Sequence, residues 1–353
     1  MYSVRNFLFY LPVLLASMFI ASCGPTEDDD PIDAKERSGN GLIILNEGGF
    51  QRGNASMSFL PEEAYTTDTE DNIEASTSVF EEANGTLLGD VGHSMTMIGE
   101  YLYVVVNNSG LIRVLEPGTF KEIAQIKGFN SPRYIVPVDE KRAYVSDLYS
   151  NFISIVHLES HSIIGEIPLR GMTEKMLVYR HEVYVANNKN KHIFTIDIAT
   201  DSITDSIDIG GHCNELHLYK AQVAAVRNAH SEGLNKGAIV VINTLSHTLS
   251  TISEFDFDEK MWYARSFAID NGIYVVLGQS VFEFKSGILK KLFEMSNVTA
   301  NNISLWNGNV WISNAKDYQQ KGVLQEYSMT GELLSEHAVG TIPSQVLYYK
   351  KPD

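Results

Sequence analysis

Cysteine is nearly absent, with only 2 in 353 residues. That excludes a disulfide framework and a cysteine-rich zinc site, both of which need several thiols at set spacings. Positive charge is also short: Lys and Arg number 27 against 44 Asp and Glu, a formal net charge of -17. So acidic a chain lacks the cationic surface that neutralises phosphates, and no nucleic-acid partner is expected. No apolar run reaches the roughly 20 residues of a helical membrane span. A sustained amphipathic helical period is missing too. Catalytic signatures are equally scarce, with no G-x-S-x-G, H-E-x-x-H or P-loop pattern. The 10 histidines are scattered, and neither His93 nor His230 has a carboxylate partner visible by spacing. His157 and His161 read as turn residues, and His212 beside Cys213 offers too few ligands for zinc. Nothing in these patterns positively supports a catalytic or metal site, although activity from scattered residues stays open. What the chain does have is apolar material, a hydrophobic share of 44%. Bulk disorder is therefore excluded.

The first residues read as an address. Arg5 supplies a positive start, and Phe7 to Ile20 form a short apolar stretch of signal-peptide type. It ends in Ile20-Ala21-Ser22-Cys23-Gly24, which resembles a bacterial lipobox. A plain signal peptide with a coincidental cysteine is the competing reading; the small residues just before Cys23 favour lipidation. The expected layout is a signal peptide over 1–22, then a lipidated Cys23 and acidic tether over 23–41, with the folded part over 42–353. Several acyl chains on Cys23 would hold the protein on a lipid bilayer, since one chain binds only marginally. Thr26-Glu27-Asp28-Asp29-Asp30 follows at once. It reads either as a solvated tether or, by resemblance to the export signal of Bacteroidetes surface lipoproteins, as a signal for the cell exterior. Cys213 is then the one thiol of the mature chain, expected to be a small buried residue.

Beyond Gly41, short runs rich in Val, Ile and Tyr alternate with Gly, Asn, Ser and Asp, which reads as strands and turns. Strands beginning near Leu42, Tyr103, Tyr144, Tyr184, Val223, Tyr274 and Trp311 recur at a spacing of about 40 residues, the period of four-stranded propeller blades. A further strand precedes each of these except the first, and one such strand, from Ser344, is left over at the C-terminus. The chain is therefore expected to be all-β, a seven-bladed β-propeller closed by the C-terminal strand, which removes the open sheet edge. Length alone suggests about two domains; the repeat overrules it. Insertions are expected near Glu62–Ala75 and Asn228–Lys236.

In such a ring, the loops between second and third strands share a face with the loops leading into the innermost strands. That face carries Phe50, Arg52, Asn108, Arg133, Tyr134, Tyr149, Asn151, Asn188, Asn214, Trp262, Tyr263, Arg265, Tyr318, Gln319 and Gln320. These are the candidate ligand-binding residues. Amides supply donors and acceptors, and aromatics supply rigid contact area, a mixture suited to a large, amide-bearing ligand. Asn, Asp and Gly in loops also simply make turns, and for any single Asn that reading is the stronger. Phe50, Tyr149, Trp262 and Tyr318 are harder to explain as turn residues.

Several blocks go further. Leu45-Asn46-Glu47-Gly48-Gly49-Phe50-Gln51, Ala83-Asn84-Gly85, Val105-Val106-Asn107-Asn108-Ser109, Ser131-Pro132-Arg133-Tyr134-Ile135 and Asp317-Tyr318-Gln319-Gln320-Lys321-Gly322, in that order, resemble the BtuG-type surface lipoproteins of Bacteroidetes, within the YncE-like seven-bladed propellers. The likeness spans the first three blades and the last; across 170–300 only the repeat matches. The resemblance implies capture of cobalamin or a related corrinoid and its transfer to a TonB-dependent outer-membrane barrel of BtuB type. It implies no resident cofactor, cobalamin being the cargo, and an outer-membrane protein facing the exterior. Capture of another cargo (haem, a glycan or a protein partner) and a lactonase-type propeller enzyme are the alternatives.

Overall fold

Burial runs unbroken along several second strands. Gly41–Asn46, Glu182–Asn187 and Gly272–Leu277 are buried at every position. Strands with one wet face would alternate; continuous burial means a neighbour covers each side. The outermost strands behave otherwise. Ser202–Asp208 is exposed at all but one position and Leu249–Asp256 at most of them. The structure, a computed structural model, describes residues 39–66, 74–228, 236–256, 264–269 and 272–352.

These strands form seven antiparallel sheets, the blades of a seven-bladed β-propeller. Six have four strands in simple up-and-down order. Their innermost strands are Gly92–Ile98, Pro132–Pro137, Thr173–Tyr179, Cys213–Tyr219, Arg265–Ile269 and Ala300–Trp306. The first blade is built from both ends of the chain, and its innermost strand is Pro343–Tyr349. This strand pairs antiparallel with Gly41–Asn46, Leu347 opposite Ile43 and Val346 opposite Ile44. The ring is thus closed by the C-terminal strand, as the repeat requires.

Each sheet presents alternate residues to two neighbours. In Tyr101–Val106, Tyr103 and Val105 pack toward the third blade, whereas Leu102, Val104 and Val106 pack toward the first. Seven apolar clusters result, one in each gap between blades. The gap between last and first blades holds Trp311, Leu324 and Val339 against Leu42, Ile44 and Leu60.

The first blade departs from the four-stranded expectation. Among the described residues it has three strands, and beyond Ser56–Pro61 only Ser76 pairs with it, through a bridge to Phe59. The insertion foreseen near Glu62–Ala75 lies partly at 67–73, outside the described residues. Its described part forms the short helix Glu63–Thr66, and the helix Val79–Asn84 buries Val79 and Phe80 in the adjoining core. The insertion after Asn228 falls at 229–235, outside the described residues together with His230.

Candidate functional site

The site face is built by a device that recurs around the ring. Where a second strand ends, the next backbone N–H bonds to the carbonyl of the loop leading into an innermost strand. Asn107 bonds Val91 at 2.8 Å, Leu148 bonds Ser131 at 2.9 Å, Asn188 bonds Met172 at 2.9 Å and Ala315 bonds Thr299 at 2.9 Å. Side chains at these places act as clamps. Asn188 Oδ1 accepts from the Cys213 N–H at 2.7 Å, and Asn228 Oδ1 from Ala264 N–H at 3.1 Å, each tying one blade to the next. Asn314 Oδ1 accepts from Thr299 N–H at 3.0 Å. Asp147 takes four backbone N–H groups, those of Asn130, Ser131, Tyr149 and Ser150. Such buried acceptors satisfy loop donors that would otherwise cost free energy.

This sorts the candidate amides. Asn188 is buried and used as a clamp. Asn214 accepts from Asn228 Nδ2 at 3.0 Å, and Asn108 donates to Asp90 Oδ2 at 2.6 Å. Asn151, Gln319 and Gln320 have exposed side chains. The backbone N–H groups of Gln319 and Gln320 both bond Asp317 Oδ1 at 3.0 Å, and these bonds hold the Asp317 carboxyl below its usual range. That turn presents Tyr318, which sits at a φ of 62°. Phe50, Tyr149 and Tyr318 are 66%, 69% and 49% exposed, on loops of the first, third and seventh blades. Arg52 is exposed beside Phe50 on the same turn. Trp262, Tyr263 and Cys23 lie outside the described residues.

Below this rim the innermost strands enclose a channel cavity of about 240 Å³. Two of the candidates, Tyr134 and Arg265, line it, and Arg133 lies close enough to act electrostatically on its Glu47 and His93. Arg133 is gripped by both oxygens of Glu174, at 2.7 and 3.2 Å. Arg265 donates to Asn301 Oδ1 at 2.9 Å. The Lys175 ammonium lies 4.8 Å over the Tyr134 ring, and His93 meets that ring edge-on at 5.1 Å.

Sequence reasoning did not single out the channel's other titratable groups, Glu47, Lys175, Glu215 and His217. A signal was available, because innermost strands alternate polar and buried apolar residues, as in Glu215-Leu216-His217 and Asn302-Ile303-Ser304. Period-two polarity on a strand facing the axis marks a channel wall. Burial pushes the Glu47 carboxyl above the usual carboxylate range, against the pull of Arg265 and Arg133. Burial likewise raises Glu215, with Lys175 and Arg265 opposing. His93 is held well below its ordinary value by burial and by Arg133, Arg265 and Lys175. His217, bonded to Ser266 Oγ at 2.7 Å, is pushed down to about 3, chiefly by burial.

Cys213 is buried, and burial raises its thiol to about 12, which makes it a poor nucleophile. Among the described residues no three His, Cys, Asp or Glu side chains are arranged to hold a metal ion.

Blades, closed ring and charged axial channel define the class: a seven-bladed β-propeller whose loop face surrounds a polar mouth. The chain belongs to the DUF5074 family, a domain of unknown function, matched over residues 40–304. No curated protein matches it. Among solved structures, a quinonprotein alcohol dehydrogenase-like protein from Bacteroides thetaiotaomicron VPI-5482 is similar, with a TM-score of 0.66 and 16% identity over 88% of this chain and 79% of that chain. Hydrazine synthase of Kuenenia stuttgartiensis gives a TM-score of 0.61 with 12% identity over 81% of this chain and 99% of that one. The dihydro-heme d1 dehydrogenase NirN gives 0.56 with 10% identity, over 87% and 74%. At such identities the likeness carries the fold alone.

Proposed function

We propose that the protein is a binding module that captures a large, rigid, amide-rimmed ligand of the corrinoid class on its loop face. The observation that carries this reading is the set of exposed aromatics Phe50, Tyr149 and Tyr318, on loops of three blades around one polar channel mouth. Exposed aromatics gathered on one face are unusual for a surface that meets only water. They supply flat contact area at low entropic cost, while Arg52, Asn151, Gln319 and Gln320 beside them supply hydrogen bonds. Loops pinned by buried clamps are rigid before binding, which lowers the ordering cost of the complex. Capture rather than turnover suits this chemistry.

In the same reading, a lipid on Cys23 holds the propeller at the outer membrane, facing outward. The loop face meets a TonB-dependent barrel there and hands the ligand on. The test is calorimetric titration of the chain from Gly24 onward with cyanocobalamin. One-to-one binding supports corrinoid capture. No heat at high protein concentration discards it and turns the screen to haem and glycans.

A further inference from the structure

The channel cavity beneath the rim is lined by charges of both signs. Lys175 and Glu215, on the innermost strands of adjacent blades, both line it and lie close enough to interact electrostatically, yet neither side chain makes a hydrogen bond or ion pair among the described residues. The Lys175 ammonium lies over the Tyr134 ring. His93 Nε2 is buried with no hydrogen-bond partner. Glu47, on the same wall, is bonded by Asn301 and flanked by Arg265. A buried polar group left unpaired costs about 1–3 kcal/mol, so His93 Nε2, beside Lys175 and Glu215 in this cavity, favours a ligand that brings it a partner.

The charge pattern selects the ligand class. A purely anionic guest would sit against Glu47 and Glu215. A purely cationic guest would sit against Lys175 and Arg265. A guest with both charges meets each wall with its opposite. The cavity of about 240 Å³ is below the roughly 300–1,000 Å³ that houses drug-sized ligands, so the guest is small. We propose that this channel mouth is a second binding site, distinct from the aromatic rim, for a small zwitterion of amino-acid size. The guest carboxylate sits on the Lys175 ammonium and its ammonium on the Glu215 carboxylate, with the Tyr134 ring alongside.

The test uses the whole mature chain and three probes of matched shape: L-glutamine, 4-carbamoylbutanoate (which lacks the ammonium) and 4-aminobutanamide (which lacks the carboxylate). Calorimetry is expected to show one-to-one binding of L-glutamine, with each one-charge analogue weaker by about tenfold or more, the cost of losing a charged hydrogen bond. Lys175→Gln and Glu215→Gln are each expected to weaken L-glutamine by a similar factor while leaving the cyanocobalamin titration unchanged. Equal binding of 4-carbamoylbutanoate would make this an anion site and overturn the proposal. Equal binding of 4-aminobutanamide, or no heat from any probe, overturns it as well. The probe comparison needs no variant, so it stands even where a substitution impairs folding. Because cyanocobalamin is read separately, loss of this site and loss of the rim reading are told apart.

Discussion

Tyr318 and His217 are two blades apart in the ring and obey opposite physics. Tyr318 is half exposed on a turn that Asp317 pins from below, so its side chain contributes little to the fold. In the rim reading it is an anchor, and aromatic anchors dominate binding energy when truncated. Tyr318→Ala is therefore expected to weaken cyanocobalamin by about tenfold with an unchanged melting temperature. An unchanged affinity takes Tyr318 out of the site. His217 touches the ligand question only indirectly; its effect is on stability. Its folded-state value near 3 lies below the unfolded value of 6.5. The unfolded chain then binds the proton that the fold refuses. The stability His217 contributes is fully present above pH 6.5 and is lost as pH falls toward 3. His217→Gln removes that proton difference. Relative to the parent, the variant should gain stability as pH drops below 6.5, by about 1.4 kcal/mol per pH unit at most. Denaturant melts at pH 7 and pH 5 check this; a pH-independent difference between the two proteins contradicts it.

At the scale of single elements, the loop clamps decide how well the face is shaped. Asp147 is fully buried and takes four N–H groups from two loops, one of which presents Tyr149. Asp147→Ala leaves those donors without an acceptor and should cost about 3 kcal/mol, read by chemical denaturation. A cost under about 1 kcal/mol would mean water replaces the carboxylate freely. These elements also show what the sequence revealed. Six innermost strands were legible from the strand that precedes each recurrent anchor, because the two lie in one hairpin and are local in the chain; the seventh was legible as the strand left over at the C-terminus. Turn chemistry was legible as a class, and Asn188 and Asn228 act as clamps just where that class places them. The first blade, with three strands among the described residues, was not legible as such. An insertion can loop out from a strand or replace one, and composition does not separate the two cases; the described residues show only the lone pairing of Ser76 with Phe59. The channel was legible only in part. Arg133, Tyr134 and Arg265 came from loop listing, whereas Glu215 and His217 lie inside a strand that read simply as strand. Which face of that strand looks at the axis depends on register, and one residue of slip exchanges the faces.

The whole molecule rests on a closure between residues some three hundred apart in the chain. Pro343–Tyr349 supplies the innermost strand of the first blade and three further locks. Gln345 bonds both the N–H and the carbonyl of Met95, at 2.8 and 2.9 Å, in the neighbouring blade. Ser344 Oγ donates to Leu45 O at 3.2 Å. Tyr348 stacks on Trp306 of the last blade with ring centres 3.7 Å apart. Without this strand, Gly41–Asn46 becomes an open edge with unpaired backbone groups, and open edges recruit other chains. A chain ending at Thr341 is therefore expected to melt at lower temperature and to associate with rising concentration, as read by light scattering. The defect is in one strand's pairing and not in the other blades, whose gaps carry their own apolar clusters. A peptide of residues 342–353 added in trans should then restore both the monomer and the melting temperature. A truncated chain that stays monomeric with an unchanged melt would show that the ring is held by the blade-to-blade cores alone. Rescue by the peptide, and loss of rescue when it carries Gln345→Ala, would place the closure energy in the strand and its bonds to Met95.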